Sequence, residues 1–297
     1  MKTPTNTVNL GLAVLGCLFF VNGFAYADTL YVANAGNSTV SKVTSSGVNT
    51  FFANSGGFYP EGITFDASGN LFVANAGSGN GNIEKITPGG VGTVFASGLN
   101  NPVGIAFDTS GNVFVSLSFG NIIEKFTPGG VGSTFATGLN NPEGIAFDTS
   151  GNLYVSNDGG SGVIMKYTSG GVGSVFATGF THPHGLAFDA SGNLFVADWG
   201  AGKVDKVTSG GVVSAFATGL SSPTGVAFDS GGFLYVSDQS AGAITKYTSG
   251  GVGSTFATGL SGPHYMAVQV PEPTTYSLLA LGLVTLLGGC RFHRRRS

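Results

Sequence analysis

Glu61, Glu143, His184 and His264 are the residues of this chain whose types and spacing suit them best to chemistry. Each follows one of six prolines, at Pro60, Pro102, Pro142, Pro183, Pro223 and Pro263, separated by 42, 40, 41, 40 and 40 residues. The position after the proline reads Glu61, Val103, Glu143, His184, Thr224 and His264, and it varies against a near-constant background. If the six segments converge, imidazole nitrogens and carboxylate oxygens from four of them can hold a divalent metal, zinc or calcium. The same groups can also simply hydrate the rim of an opening.

The segment after each proline runs on as Gly-Ile-Ala-Phe-Asp-x-Ser-Gly-Asn-Leu-Phe-Val, with small variations. Its Asp-x-Ser-Gly-Asn portion is a hairpin turn, because Asp can bond its own downstream backbone and Gly accepts positive φ. One carboxylate per turn is too few for a calcium loop. If Phe65 faces Leu71 across the turn, then Glu61 faces Asn75, Val103 faces Leu117, Glu143 faces Asn157, His184 faces Asp198 and Thr224 faces Asp238. His264 would face Asn34. On this register Asn34, Asn75, Asn157, Asp198, Thr224 and Asp238 join the post-proline residues around the mouth. Asp198 would orient His184 by accepting its second ring N–H, and Trp199, the only tryptophan, would form a wall for a ligand.

Self-similarity at this period, with several short alternating stretches and glycine-rich turns in each unit, is the sequence signature of β-propeller blades. Each unit reads as four strands; in the second these are Gly62 to Phe65, Leu71 to Asn75, Ile83 to Thr87 and Val91 to Ala96. The chain opens on an orphan second-type strand at Leu30 and ends on an orphan first-type strand, His264 to Val268. Joining them completes a sixth blade from both termini and closes the ring, which protects otherwise open edges. The expected fold is therefore all-β, a six-bladed propeller of four-stranded blades. Small residues in the first strand suit the crowded axis, and the recurring phenylalanines should pack between blade faces. The recurring lysine (Lys42, Lys85, Lys125, Lys166, Lys206, Lys246) should mark a solvated end of the third strand.

Residues 1–27 carry Lys2, an apolar run through Leu10 to Phe20 and Ala25-Tyr26-Ala27, the pattern of a secretory signal peptide cleaved before Asp28. Both cysteines, Cys17 and Cys290, fall outside residues 28–269, which excludes disulfides and thiolate metal sites there. That span holds seven lysines, no arginine and fourteen acidic residues, a formal charge of −7. Nucleic acid is a poor partner for such a surface. Residues 270–297 read Val270-Pro271-Glu272-Pro273, an apolar stretch from Tyr276 to Cys290, and Arg291, Arg294, Arg295 and Arg296. The stretch is short for a permanent span, and the arginines would hold that end inside while the propeller lies outside.

This tail resembles the PEP-CTERM sorting signal of Gram-negative bacteria. The resemblance implies an exosortase-type processing enzyme as partner, transient membrane insertion of 276–290, and export to the cell surface, the outer membrane or an extracellular matrix. The repeats are similar to NHL repeats, whose hallmark matches the Pro-x-Gly-Ile-Ala-Phe-Asp segment and whose fold is a six-bladed propeller. Pro183-His184-Gly185 and, less closely, Pro263-His264-Tyr265 resemble the zinc-binding segments of peptidylglycine-amidating lyases. Glu61 or Glu143 resembles the metal-holding glutamate of gluconolactonase-type propellers, but the Pro-Asn-Gly and Pro-Asp-Gly segments of that family are absent.

No Ser-His-Asp motif, P-loop or nucleotide fingerprint is present, and no catalytic residue is assigned. Two functions follow as expectations. The first is a secreted, surface- or matrix-sorted binding or scaffold module for an extracellular polysaccharide or surface protein. The second is a metal-dependent extracytoplasmic lyase or lactonase with its site at the channel mouth.

Overall fold

The structure, a computed structural model, describes residues 28–56, 58–77, 79–160 and 162–270. The expected signal peptide and the tail beyond Val270 lie outside the described residues. Among the described residues no helix is long and apolar enough to cross a membrane.

Six four-stranded antiparallel sheets form the ring. Blade two runs Tyr59–Phe65, Leu71–Ala76, Gly81–Ile86 and Gly92–Leu99, from the axis outward, and blades three to six repeat that order. Blade one is built from both ends of the domain: Pro263–Gln269 pairs with Thr29–Asn34, followed by Thr39–Val43 and Asn49–Asn54. The expected closure therefore holds.

The core lies between blades. The second-strand aromatic of each of the first five blades meets two phenylalanines edge-on, one from its own outer strand and one from the inner strand of the next blade. Phe114, for example, sits 4.9 Å from Phe135 and 5.0 Å from Phe147, centroid to centroid. Edge-to-face aromatic pairs contribute about 0.5–1.5 kcal/mol beyond the area they bury, so the repeated triplet glues each blade to its neighbour. The recurring lysine is more than a solvated strand end. Lys85 lies 5.2 Å above the Phe72 ring and 3.2 Å from the Asp66 carboxylate, and Lys125, Lys166, Lys206 and Lys246 repeat the arrangement.

The turn between first and second strands closes as its sequence suggests. Asp66 accepts the backbone N–H groups of Ser68 and Asn70 and the side-chain amide of Asn70. Its oxygens are engaged within the turn, as are those of Asp108, Asp148 and Asp189.

The register, however, departs from expectation next to the prolines. Phe65 does face Leu71, but Ile63 faces Val73 and then Pro60, not Glu61, faces Asn75. Two residues of the inner strand, Glu61 and Gly62, oppose one residue of the second strand, Ala74: a β-bulge. Every blade has it, so that Pro102 faces Leu117, Pro142 faces Asn157, Pro183 faces Asp198, Pro223 faces Asp238 and Pro263 faces Asn34. The expected pairs of Glu61, Val103, Glu143, His184, Thr224 and His264 with those residues are thus each off by one.

The bulge follows from crowding at the axis. A Cβ on Gly104 would run into the backbone oxygen of Glu143 in the next blade, and Gly62, Gly144, Gly185 and Gly225 meet the following blade in the same way. Only glycine lets inner strands approach this closely. Replacing Gly104 with alanine should therefore destabilise the ring by about 1–3 kcal/mol, the cost of overpacking, measured by denaturant unfolding. An equally stable variant would contradict the close approach.

Candidate functional site

The bulge takes the post-proline residues out of the ladder beside the axis, as bulges beside sites commonly do, and there Glu61 and His264 of neighbouring blades come into contact. The carbonyl oxygens of Glu143, His184 and His264 are in turn held by serines. Ser116, in blade three opposite its own bulge, receives the Gly104 N–H and donates to the Glu143 carbonyl of blade four. Ser156 donates to the His184 carbonyl at 2.6 Å, and Ser237 receives the Gly225 N–H and donates to the His264 carbonyl. The equivalent position is alanine in the other three blades (Ala33, Ala74, Ala197). Serine thus precedes three of the four ionisable ring residues and neither Val103 nor Thr224.

On one side of the mouth the Glu61 carboxylate and His264 Nδ1 are in close contact. The Gln239 side-chain amide lies 2.6 Å from His264 Nε2. On the opposite side the His184 ring lies parallel to the Trp199 indole, 8° apart with centroids at 5.8 Å. His182 meets the same indole edge-on, and its Nδ1 is 2.8 Å from the Asp158 carboxylate. Asn141 donates its amide to the other oxygen of Asp158 at 2.9 Å. Trp199 is 39% exposed. Tyr265 stands where the other five blades have glycine and lines a cavity of about 200 Å³ with Thr64, Ile105, Ala146, Leu186 and Met266. Its hydroxyl has no hydrogen-bond partner among the described residues.

The second-strand ends do other work than expected. Asp198 accepts the backbone N–H groups of Thr181 and His182, and Asp238 those of Ser221, Ser222 and Ala241. Asn157 accepts the Asn140 N–H, while Asn34 donates to Ser41 and Asn75 to Asn82. Thr224 is fully buried and contacts Ser237 and the Pro263 carbonyl. The five strand ends hold loops and strands together, because the bulge places the proline opposite each of them, and Thr224 ties its inner strand to the next blade. Asp198 does not orient His184, whose Nδ1 has no hydrogen-bond partner among the described residues.

Glu61, Glu143, His184 and His264 do share one electrostatic neighbourhood, but among the described residues no three His, Cys, Asp or Glu side chains are placed to hold a metal ion. Asp158, His182, Gln239 and Tyr265 escaped the sequence reading. All four lie at positions where the repeats differ, in loop columns or at the glycine column, and that variation was the available signal.

Desolvation inside the ring, reinforced by the Glu61 and Asp158 charges, holds the Glu143 carboxyl well above its usual range. Desolvation lowers His184 to about 4, against the pull of Asp158. At neutral pH the channel therefore offers an uncharged imidazole. Because the unfolded chain binds a proton near 6.5 and the folded one near 4, stability should fall as pH drops between them, by up to about 3 kcal/mol. Glu143 acts oppositely: the fold keeps its proton above the ordinary carboxyl value, so stability is lost as pH rises through that interval. Denaturant unfolding across pH should lose the first slope in His184→Asn and the second in Glu143→Gln; unchanged slopes would contradict the burial of these groups.

Comparison with known proteins agrees with this architecture. Residues 269–296 match the PEP-CTERM protein-sorting motif. No curated protein matches the sequence. Among solved structures, a chain of the nidogen/laminin complex superposes with a TM-score of 0.73 at 22% identity, covering 81% of this chain and 98% of that one. Virginiamycin B lyase from Staphylococcus aureus gives 0.63 at 18% identity over 80% of this chain and 84% of its own. Streptogramin B lyase gives 0.63 at 15% over 82% and 92%. At these identities the likeness is one of fold. The chain is a six-bladed β-propeller joined to a PEP-CTERM sorting motif, and so an exported bacterial protein sorted to the cell surface or beyond it.

Proposed function

We propose that the protein is a surface-sorted binding module of NHL-repeat type whose channel mouth takes a segment of extracellular polysaccharide. The observation that carries this reading is Trp199, a partly exposed indole flanked by His182 and His184 beside the Asp158 carboxylate. The C–H face of a pyranose is apolar and packs on an aromatic ring, while its hydroxyls bond to planar amide and carboxylate groups at the edge. Asn141 and Gln239 complete such an edge around the opening. The loops that carry these groups are fixed from beneath by Asp198, Asp238 and Asn157, so the face is largely preformed, as ligand sites usually are. Export through the sorting motif carries this face to the cell surface or beyond, where a polysaccharide partner would be met.

A second reading is favoured by one observation: an acid with a raised pKa, Glu143, shares the channel with a neutral base, His184. That combination suits proton transfer in a lyase or lactonase. In that reading Glu61, Glu143, His184 and His264 would have to draw together around a divalent ion, since no three of them are placed to hold one among the described residues.

Because Trp199 is the only tryptophan, its emission reports on the mouth directly. Titration with oligosaccharides cut from exopolysaccharide should give a saturable change, and Trp199→Ala should weaken binding at least about tenfold, or about 1.4 kcal/mol, with little change in Tm. Absence of a saturable response, or unchanged binding by Trp199→Ala in calorimetry, would overturn the glycan reading. The enzyme reading predicts stoichiometric zinc or calcium by elemental analysis, lost in His184→Ala and His264→Ala together with all turnover.

A further inference from the structure

Antiparallel order fixes two opposite faces. The connections between second and third strands, and between fourth and the next first strand, lie with the mouth. The Asp-x-Ser-Gly-Asn turns and the turns between third and fourth strands lie on the other face. Both ends of the described domain reach that second face. Asp28 accepts the Ser230 N–H in the turn of blade six, and the Gln269 side chain lies beside Gly69 in the turn of blade two. Gln269 ends an inner strand, so the sorting tail departs close to the ring axis. Six residues, 270–275, separate it from the apolar stretch that starts at Tyr276. Fully extended they span at most about 20 Å.

The turn face has two properties that suit it to a lipid surface. Each third-to-fourth-strand turn displays one valine, Val48, Val91, Val131, Val172, Val212 or Val252, between 55% and 71% exposed. These turns are rigid: in blade two, Thr87 and Val91 bond to each other and Gly90 closes back on Thr87 at φ 81°. The face also carries little net formal charge: five Lys–Asp pairs balance, as do Lys42 and Asp28, and the Glu84 and Glu124 carboxylates, beside Gly92 and Gly132, are left over. The remaining formal charge of −5 lies on the mouth and within the blades. An anionic bilayer therefore repels the mouth more than the turn face.

We propose that the propeller rests turn face down on the lipid surface into which its tail inserts, with the six valines touching lipid and the acidic mouth pointing away. The tail tethers the ring near its centre, and the short connection leaves no room for the opposite orientation. The mouth thus stays open to the outside before the tail is processed. This inference is independent of what the mouth binds.

The single tryptophan on the mouth face makes the test direct. The chain with its tail is reconstituted into phosphatidylcholine–phosphatidylglycerol vesicles whose acyl chains carry bromine, a short-range quencher of indole. Trp199 should stay accessible to aqueous acrylamide and lose less than about a tenth of its emission to the lipid, whereas a tryptophan at a lipid-dipping turn should lose about half. That second reporter is Val172→Trp in a Trp199→Phe background, with Val131→Trp as an alternative site should the first fail to fold. Lipid quenching of Trp199, absence of quenching at both turn positions, or failure of the protein to float with the vesicles would each overturn the proposal.

Discussion

The close approach of six inner strands at one axis is the constraint on which the rest of the structure depends. Backbone meets backbone there: the α-carbon of each glycine in Pro-x-Gly lies against the carbonyl of the residue after the next blade's proline. At five of the six contacts no side chain fits between them, so glycine is required there, and Tyr265 takes the sixth position. The strand accommodates the crowding with one extra residue, which leaves the ladder beside the axis. Composition of the site and closure of the ring are therefore two results of one packing problem.

What distinguishes the mouth from the rest of a near-repetitive ring is where polar groups have been left without local work. Elsewhere carboxylates are consumed by turns, as in Asp66 and Asp108, or by loop amides, as in Asp198 and Asp238. Around the axis Glu143, His184 and Tyr265 are enclosed with few partners, and burial rather than any single neighbour sets their protonation. Buried groups with perturbed protonation point to a functional site without naming its chemistry. The serines Ser116, Ser156 and Ser237 add direction: they hold the carbonyls of Glu143, His184 and His264, whereas the position that would hold those of Glu61, Val103 and Thr224 is alanine.

Much of this was legible in the sequence. Proline spacing, the Asp-x-Ser-Gly-Asn turn and the unpaired strand at each end were enough for the blade count and for closure between His264–Val268 and the first blade. Contact between Glu61 and His264 of neighbouring blades follows from the same spacing. The bulge was not legible, because counting back from a correctly placed turn assumes an uninterrupted ladder, and Glu61-Gly62 gives no sign of interruption except its glycine. That one-residue slip assigned Asn34, Asn75, Asn157, Asp198 and Asp238 to the mouth, where the ladder instead turns them into the blades. Comparison of a single variable column also passed over His182, Asp158, Gln239 and Tyr265, which differ from their counterparts just as sharply. The tail motif was legible and is matched over residues 269–296.

Enclosure of His184 within the ring follows from the packing of the axis. Its most direct test is the titration of the His184 imidazole by NMR, assigned with His184→Asn. Enclosure within the ring requires a midpoint near 4. A midpoint near 6.5, that of a freely solvated histidine, would mean that the ring does not enclose this residue, and would contradict the derivation of the site from the packing of the axis.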